Sequence, residues 1–118
     1  MKATIERATL LKSLGHVQSV VERRNTIPIL SNVLIEASEN GAIRLTATDL
    51  DLQIVETIAG DVEIPGATTV SAHTLFEIAR KMPDGSQVQL NAADGRMAVN
   101  AGRARFSLST LPRDDFPM

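Results

Sequence analysis

The chain has 118 residues, enough for one modest hydrophobic core; 43% are hydrophobic but only 3% aromatic, so aliphatic side chains must fill the interior. It has no cysteine and two histidines, which excludes disulfides, thiolate metal sites, cysteine nucleophiles and a three-histidine zinc centre. The net charge of −2 argues by itself against a nucleic-acid partner, and the charged start with no long apolar run predicts a cytoplasmic protein without a membrane span.

The first half of the chain predicts one strand, one helix and then three strands. Residues 3–7 alternate as a short strand, and apolar residues then recur every three or four positions along a helix expected over Ala8–Arg23. A break follows at residues 25–28. Three β-like runs then predict strands at Ile29–Ala37, Ile43–Thr48 and Leu52–Ile58.

The second half repeats this order. A brief strand at Ala67–Val70 precedes Ser71, which we expect to cap a second helix that ends at Pro83-Asp84-Gly85. The residues expected on the buried side of this helix are Leu75, Phe76, Ala79 and Met82. The three strands expected after it are Gln87–Asn91, Met97–Asn100 and Arg103–Thr110, and residues 111–117 are expected to form a linker.

The five elements therefore occur twice, with a period of about 55 residues. A duplicated β-α-β-β-β unit of this kind predicts an α+β fold in which two helices lie on one side of antiparallel sheets.

Charge is unevenly distributed between the predicted helices and the rest of the chain. Residues 8–24 and 72–82 contain five basic and two acidic residues, whereas the remainder contains seven basic and twelve acidic residues. On helical wheels the polar stripes are Lys12, His16, Ser19 and Arg23 on the first helix, and His73 and Arg80 on the second. Either these are ordinary solvent faces, or they form a surface that attracts a polyanion without reading its bases.

Five motifs occur in a specific order along the chain. They are Ile27-Pro28-Ile29-Leu30-Ser31-Asn32, Thr46-Ala47-Thr48-Asp49-Leu50-Asp51, Pro65-Gly66-Ala67-Thr68-Thr69-Val70, Gly102-Arg103-Ala104-Arg105-Phe106-Ser107-Leu108-Ser109-Thr110-Leu111-Pro112 and Asp115-Phe116-Pro117. Together they resemble the N-terminal domain of the bacterial sliding clamps, the β subunits of DNA polymerase III, from end to end of the chain. The resemblance implies the DNA-clamp fold, with residues 1–118 as the first of three domains in a longer chain.

The resemblance also implies a non-catalytic processivity factor of DNA replication. In this family two chains form a ring, a homodimer, that encircles double-stranded DNA non-specifically and tethers the replicative polymerase. Helices line the hole, so a basic helical layer would face phosphate while the acidic remainder faces outward. The contacts with the polymerase and the clamp loader lie mainly in domains beyond these 118 residues, and no catalytic residue, metal, cofactor or membrane is implied.

Two sets of site residues follow from the resemblance. The DNA-facing set is Lys12, Arg23, Arg24, His73, Arg80 and Lys81. Arg24 is expected to contribute most, and His73, at a position where relatives often carry a basic side chain, is expected to be a polar group facing water.

The second set forms the contact with the third domain of another chain, through the last strand. It comprises Thr74, Ile78, Arg96, Arg103, Arg105, Phe106 and Leu108. Alternation along the strand predicts Phe106 and Leu108 on one face, and Arg103, Arg105 and Ser107 on the other. Core packing of Phe106, and arginines that merely block mispairing of an edge strand, are the alternative interpretations.

Two other functions are compatible with parts of the sequence. In an enzyme, Asp49 and Asp51 could hold a hard cation with Glu36 or Glu56, although aspartates in a tight connection are already explained by bonds to their own backbone. A stand-alone binding module could instead capture a peptide on its exposed last strand, and it would be a monomer that ignores DNA.

Overall fold

A computed structural model describes residues 1–21 and 27–117, which form two helices and nine strands. The helices are α1 (Arg7–Val17) and α2 (Ala72–Lys81). The strands are β1 (Lys2–Glu6), β2 (Asn32–Ala37), β3 (Ala42–Thr48), β4 (Gln53–Ala59), β5 (Asp61–Ile64), β6 (Gly66–Ser71), β7 (Gln87–Ala93), β8 (Arg96–Ala101) and β9 (Ala104–Leu111). No helix within the described ranges is long and apolar enough to cross a membrane.

The nine strands form one antiparallel sheet whose two end strands are consecutive in the chain. Their order is β4-β3-β2-β6-β9-β8-β7-β1-β5, and the two end strands, β4 and β5, are separated along the chain only by Gly60. Each half of the chain gives its first strand to the other half, since β1 pairs with β7 and β6 pairs with β2. The predicted α+β fold with a duplicated unit is confirmed, and the two copies are interlocked.

One hydrophobic core joins both helices to the inner face of the sheet. It is aliphatic, as the composition requires, and its fully buried members include Ile5, Leu10, Leu14, Ile35, Ile43, Leu45, Leu75, Leu90 and Met97. The helices contact each other, and in the last turn of α1 Gly15 leaves room for the ring of Phe76. Leu75, Ala79 and Met82 are buried as predicted, and Phe76 is half-buried against the core.

The start of α2 and the end of α1 both have local causes. Ser71 caps α2 as predicted, because its hydroxyl accepts a hydrogen bond from the N–H of Thr74 at 3.3 Å. The first helix ends earlier than expected, at Val17, and continues only as a 3-10 turn over Gln18–Val20. There the Ser19 hydroxyl donates to the His16 carbonyl at 2.7 Å, a local bond that competes with helical bonding. The predicted end at Arg23 lies outside the described residues.

Two strand predictions differ from the structure. The strand expected from Ile29 begins only at Asn32, because Pro28 starts a 3-10 turn over Pro28–Ser31. The four-residue strand β5 was not predicted. It pairs with β1, through Ala3 opposite Val62 and Thr4 opposite Asp61. It therefore depends on a strand that lies more than 50 residues earlier in the sequence.

The segment predicted as a linker is folded back on the sheet. Residues Arg113–Asp115 form a 3-10 turn, and Phe116 is only 4% exposed. Arg113 Nη2 lies 3.2 Å from Glu36 Oε2, and Glu36 lies on the face of β2 opposite the core residues Val33 and Ile35. The linker interpretation is therefore wrong for these residues, because an aromatic side chain and an ion pair hold them to the outer face.

Candidate DNA-facing surface and subunit edge

The solvent side of the two helices carries two lysines that make no ion pair with another residue of the described ranges. Lys12 is exposed on α1, and Lys81 is exposed in the last turn of α2. Lys81 is also favourably placed, since a cation in the last turn of a helix interacts with the negative end of the helix dipole. These two side chains are free to meet a polyanion.

Arg80 lies on the same surface but is engaged within α2. Its Nη1 donates to Glu77 Oε1 at 2.9 Å, and its guanidinium lies 5.8 Å from the centre of the Phe76 ring. Both groups are exposed enough for water to screen the pair, so a phosphate can compete with Glu77 for the guanidinium.

His16, the other base of the α1 stripe among the described residues, connects the helix to the sheet. Its Nδ1 lies 2.6 Å from Glu56 Oε1 on β4. Half of the imidazole remains exposed, with 52% of the side-chain surface accessible. This contact fixes α1 against β4 and reduces what His16 can offer to an anion.

His73 was expected to face water, but it faces protein. It is half-buried, and both ring nitrogens contact the end of the first helical segment: Nδ1 lies 2.7 Å from Gln18 Oε1 and Nε2 lies 2.9 Å from the Val21 carbonyl oxygen. The ring therefore bridges the start of α2 and the end of the 3-10 turn that follows α1.

Arg7, which the sequence patterns did not single out, makes a similar contact at the opposite end of the helix pair, between the start of α1 and the end of α2. It is the first residue of α1, and it donates from Nε to the Ala79 carbonyl at 3.1 Å and from Nη2 to the Arg80 carbonyl at 3.0 Å. Its Nη1 also donates to Asp84 at 2.8 Å. A signal was present in the sequence, because an arginine in the first turn of a helix is unfavourable for the helix dipole and implies another partner.

Arg23 and Arg24, the predicted end of the basic stripe, lie outside the described residues. Val21 is the last described residue before them. Their contribution to the surface remains a prediction.

The last strand, β9, has an open edge. Its residues 104–109 pair with β8 on one side, whereas β6 reaches only Thr110 and Leu111 on the other side. In an antiparallel ladder alternate residues direct their N–H and C=O groups away from the partner strand, so among the described residues this stretch presents unpaired backbone groups. Such an edge is a template for another strand.

The apolar residues predicted for the subunit contact differ in their solvent exposure. Phe106 is 36% exposed and lies opposite the fully buried Val99 of β8. Leu108 is half-buried against the core, and Ile78 of α2 belongs to the core itself at 7% exposure. Phe106 thus stands at the rim of the core with a face available to a partner.

The polar residues of the same set are exposed. Arg96 crosses β9 and donates to the hydroxyls of Ser107 at 2.9 Å and Ser109 at 3.3 Å. Arg103 and Arg105 are exposed at the β8–β9 turn and on β9. Thr74 is exposed on α2, where its hydroxyl accepts from Ser71 at 3.0 Å. The arginines form a second cationic group, separate from the helices.

The aspartates considered as a cation site serve the β3–β4 turn. Asp49 Oδ1 accepts from the N–H groups of Asp51 at 3.0 Å and Leu52 at 2.7 Å, so the turn interpretation is confirmed. The same bonds, with the Thr48 hydroxyl, hold Leu50 at a positive φ of 81°. Within residues 1–21 and 27–117, no three His, Asp or Glu side chains are grouped so as to hold a metal ion.

Comparisons with known proteins place this arrangement in one family. The chain matches the family described as "DNA polymerase III beta subunit, N-terminal domain" over residues 1–118. It is 56% identical over 120 residues to the beta sliding clamp of Caulobacter vibrioides and 45% identical over 118 residues to that of Escherichia coli K12. These alignments cover 100% and 99% of this chain but only 32% of each relative.

Solved structures give the same result. The crystal structure of the DNA polymerase sliding clamp from Caulobacter crescentus superposes with a TM-score of 0.95 at 55% identity, over 100% of this chain and 32% of that one. A sliding clamp from Pseudomonas aeruginosa bound to griselimycin gives a TM-score of 0.96 at 42% identity, with the same coverage. The chain therefore belongs to the DNA polymerase III beta subunit family, and what it matches there is the N-terminal domain.

Proposed function

We propose that this chain is the N-terminal domain of a sliding clamp, a non-catalytic processivity factor that encircles duplex DNA and tethers the replicative polymerase. Its residues 1–118 would form the first of three domains, and the chain spans 32% of the relatives it matches. The polymerase and the clamp loader would bind mainly through the other two domains, in the cytoplasm. The observation that carries the proposal is the free cationic surface on helices of a chain that matches the family from end to end.

The mechanism we propose is electrostatic and does not depend on sequence. Lys12 and Lys81 are long, exposed side chains that can follow phosphates as the duplex moves past them. Phosphate contacts position a protein on DNA but carry no base information, so a surface built from a few of them permits sliding. Closure of the ring, rather than affinity, would keep the clamp on its track.

Charge reversal at Arg24 tests the DNA-facing surface. In the full-length clamp, Arg24→Glu is expected to weaken binding to an end-blocked duplex at low salt, because a phosphate contact becomes a repulsion. The slope of log affinity against log salt concentration should fall in magnitude by about 1. Fluorescence anisotropy over a salt series measures both quantities.

The matched control is Arg44→Glu. Arg44 is also an exposed arginine, but it lies on β3 between the buried residues Ile43 and Leu45 and so points to the outer face of the sheet. Its reversal should leave DNA binding near the wild-type value. Equal effects of the two reversals would contradict a DNA surface formed by the helices.

Truncation of Phe106 tests the subunit contact. We propose that the open edge of β9 pairs with the third domain of a second clamp chain, with Phe106, Leu108 and Ile78 as its apolar part and the three arginines facing acids of the partner. Phe106→Ala is expected to raise the dissociation constant of the full-length dimer by about 30-fold, the effect of losing a well-packed aromatic anchor. Sedimentation of a dilution series measures it.

The control variant for this experiment is Val55→Ala. Val55 is 46% exposed on β4, so its truncation also removes an accessible apolar side chain but leaves the β9 edge intact. An unchanged dimer in both variants would remove Phe106 from the contact. A full-length chain that stays monomeric and ignores DNA would favour the alternative function, a module that captures peptides on the same edge.

A further inference from the structure

We propose that His73 is a positioning residue, which holds the end of the first helical segment in place instead of binding DNA phosphate. The inference rests on the proposed function, because what His73 would position is the chain that leads into Arg23 and Arg24. The first observation is the pair of contacts from one imidazole to Gln18 and to the Val21 carbonyl.

These contacts leave the ring without a free nitrogen. The Val21 carbonyl oxygen can only accept, so Nε2 must carry a hydrogen and donate it there at 2.9 Å. Nδ1 is occupied by the Gln18 side-chain amide at 2.7 Å, and an amide can serve it as acceptor or, after a flip, as donor. A phosphate oxygen would have to displace one of these partners.

The second observation is that the contact is reciprocal. Arg7, at the start of α1, binds the last carbonyls of α2, and His73, at the start of α2, binds the carbonyl at the end of the turn after α1. The helices therefore run antiparallel, and a side chain at the start of each helix hydrogen-bonds to backbone carbonyls at the C-terminal end of the other. The residues in sequence at or just after those two ends are cationic: Arg80 and Lys81, and Arg23 and Arg24.

Val21, two residues before Arg23, is fixed through both of its backbone groups. Val21 N–H already donates to the Gln18 carbonyl at 3.1 Å, so with His73 on its own carbonyl both backbone groups of Val21 are bonded. Fixing a chain in advance removes an ordering cost that binding would otherwise carry. His73 thereby increases DNA affinity without touching DNA.

Two substitutions of His73 separate the two roles because they change charge and geometry in opposite directions. Glutamine keeps an N–H donor near the Nε2 position but cannot be charged, whereas lysine supplies a permanent cation and removes the bridge. If His73 positions Val21, the full-length clamp with His73→Gln should bind end-blocked duplex within about twofold of wild type. His73→Lys should bind about fivefold more weakly, the effect of one lost hydrogen bond.

Ala8→Lys is the matched control. Ala8 is the second residue of α1, as His73 is the second residue of α2, and it is exposed. A lysine there adds the same charge to the helical surface without removing a bridge, so binding should stay equal or become tighter. If Arg24→Glu weakens DNA binding, then wild-type or tighter binding by His73→Lys, or weakening by His73→Gln alone, would overturn the proposal.

A measurement without DNA keeps the inference separate from the proposed function. Amide hydrogen exchange over residues 18–21 of the full-length clamp should become faster in His73→Lys and stay near wild type in His73→Gln. Unchanged exchange in His73→Lys would overturn the positioning role. If exchange responds as expected but neither Arg24→Glu nor His73→Lys alters DNA binding, the proposed DNA surface fails while the positioning of Val21 stands.

Discussion

Phe116→Ala is expected to lower the free energy of unfolding of this chain by about 3–5 kcal/mol, the usual cost of truncating a buried phenylalanine. Phe116 is 4% exposed although it follows a turn rich in proline and aspartate. Its removal leaves a cavity on the outer face of the sheet, where Leu34 is also buried. Urea unfolding monitored by circular dichroism measures the change.

The effect should be large because the segment around Phe116 is held by several bonds at once. Phe116 N–H donates to the Arg113 carbonyl at 3.0 Å, and the Thr69 hydroxyl donates to the Leu111 carbonyl at 2.8 Å. Thr69 itself accepts from the buried Asn32 amide at 3.0 Å. The segment is therefore in one defined place, and the surroundings cannot close around a missing ring at little cost.

Phe106→Ala provides the control for the same change of side chain. Phe106 is 36% exposed, so a single chain should lose much less stability there, about 1 kcal/mol. If both variants unfold at the same urea concentration, Phe116 does not anchor the segment and the linker interpretation returns. The two phenylalanines thus separate folding from subunit association.

Gly60→Ala is expected to destabilise the chain by about 1–3 kcal/mol through overpacking. A Cβ atom at Gly60 would lie 2.6 Å from Ile43 Cδ1 and 2.9 Å from the Thr4 carbonyl oxygen. The isoleucine can rotate away, but the carbonyl belongs to β1, which is paired on both sides. The chain passes at this residue from β4 to β5, the two end strands of the sheet, and only a hydrogen fits there.

Gly15→Ala should have the opposite sign. Gly15 lies inside α1, and the nearest atom to an added Cβ is Phe76 Cε1 at 3.5 Å, an ordinary contact. Alanine is favoured over glycine within a helix by about 0.5–1 kcal/mol, so this variant should be more stable than wild type. Thermal unfolding of both variants checks the pair, and destabilisation by Gly15→Ala would show that the helices are closer than described.

The segregation of charge has a structural counterpart that the sequence indicated only in part. Lys12 and Arg80 lie on the solvent side of the helices, as the helical wheels predict, and Lys81 is exposed next to Arg80 in sequence. Arg80 nevertheless has an acid beside it, and His73 is turned toward protein. A wheel shows which side of a helix a residue occupies, but it does not show which groups of other elements reach that side.

Local patterns determined the type and order of nearly all elements. Apolar spacing and turn residues are properties of neighbouring positions, so they predicted both helices, the cap at Ser71 and the duplicated order of strands. The family could also be predicted from local sequence, because its motifs are short runs of neighbouring residues. The interlocking of the two halves was not visible at this level, because pairing of β1 with β7 joins positions more than 80 residues apart.

Only the tertiary structure decided the fate of residues whose partners are distant. Arg7 and Ala79 are separated by 72 positions, and His73 and Val21 by 52. Strand β5 is only four residues long and Phe116 follows a turn that contains proline and two aspartates, yet β1 and the outer face of the sheet provide them with partners. A short segment is stabilised by contacts with the rest of the fold, and the sequence of the segment itself does not show which distant residues make those contacts.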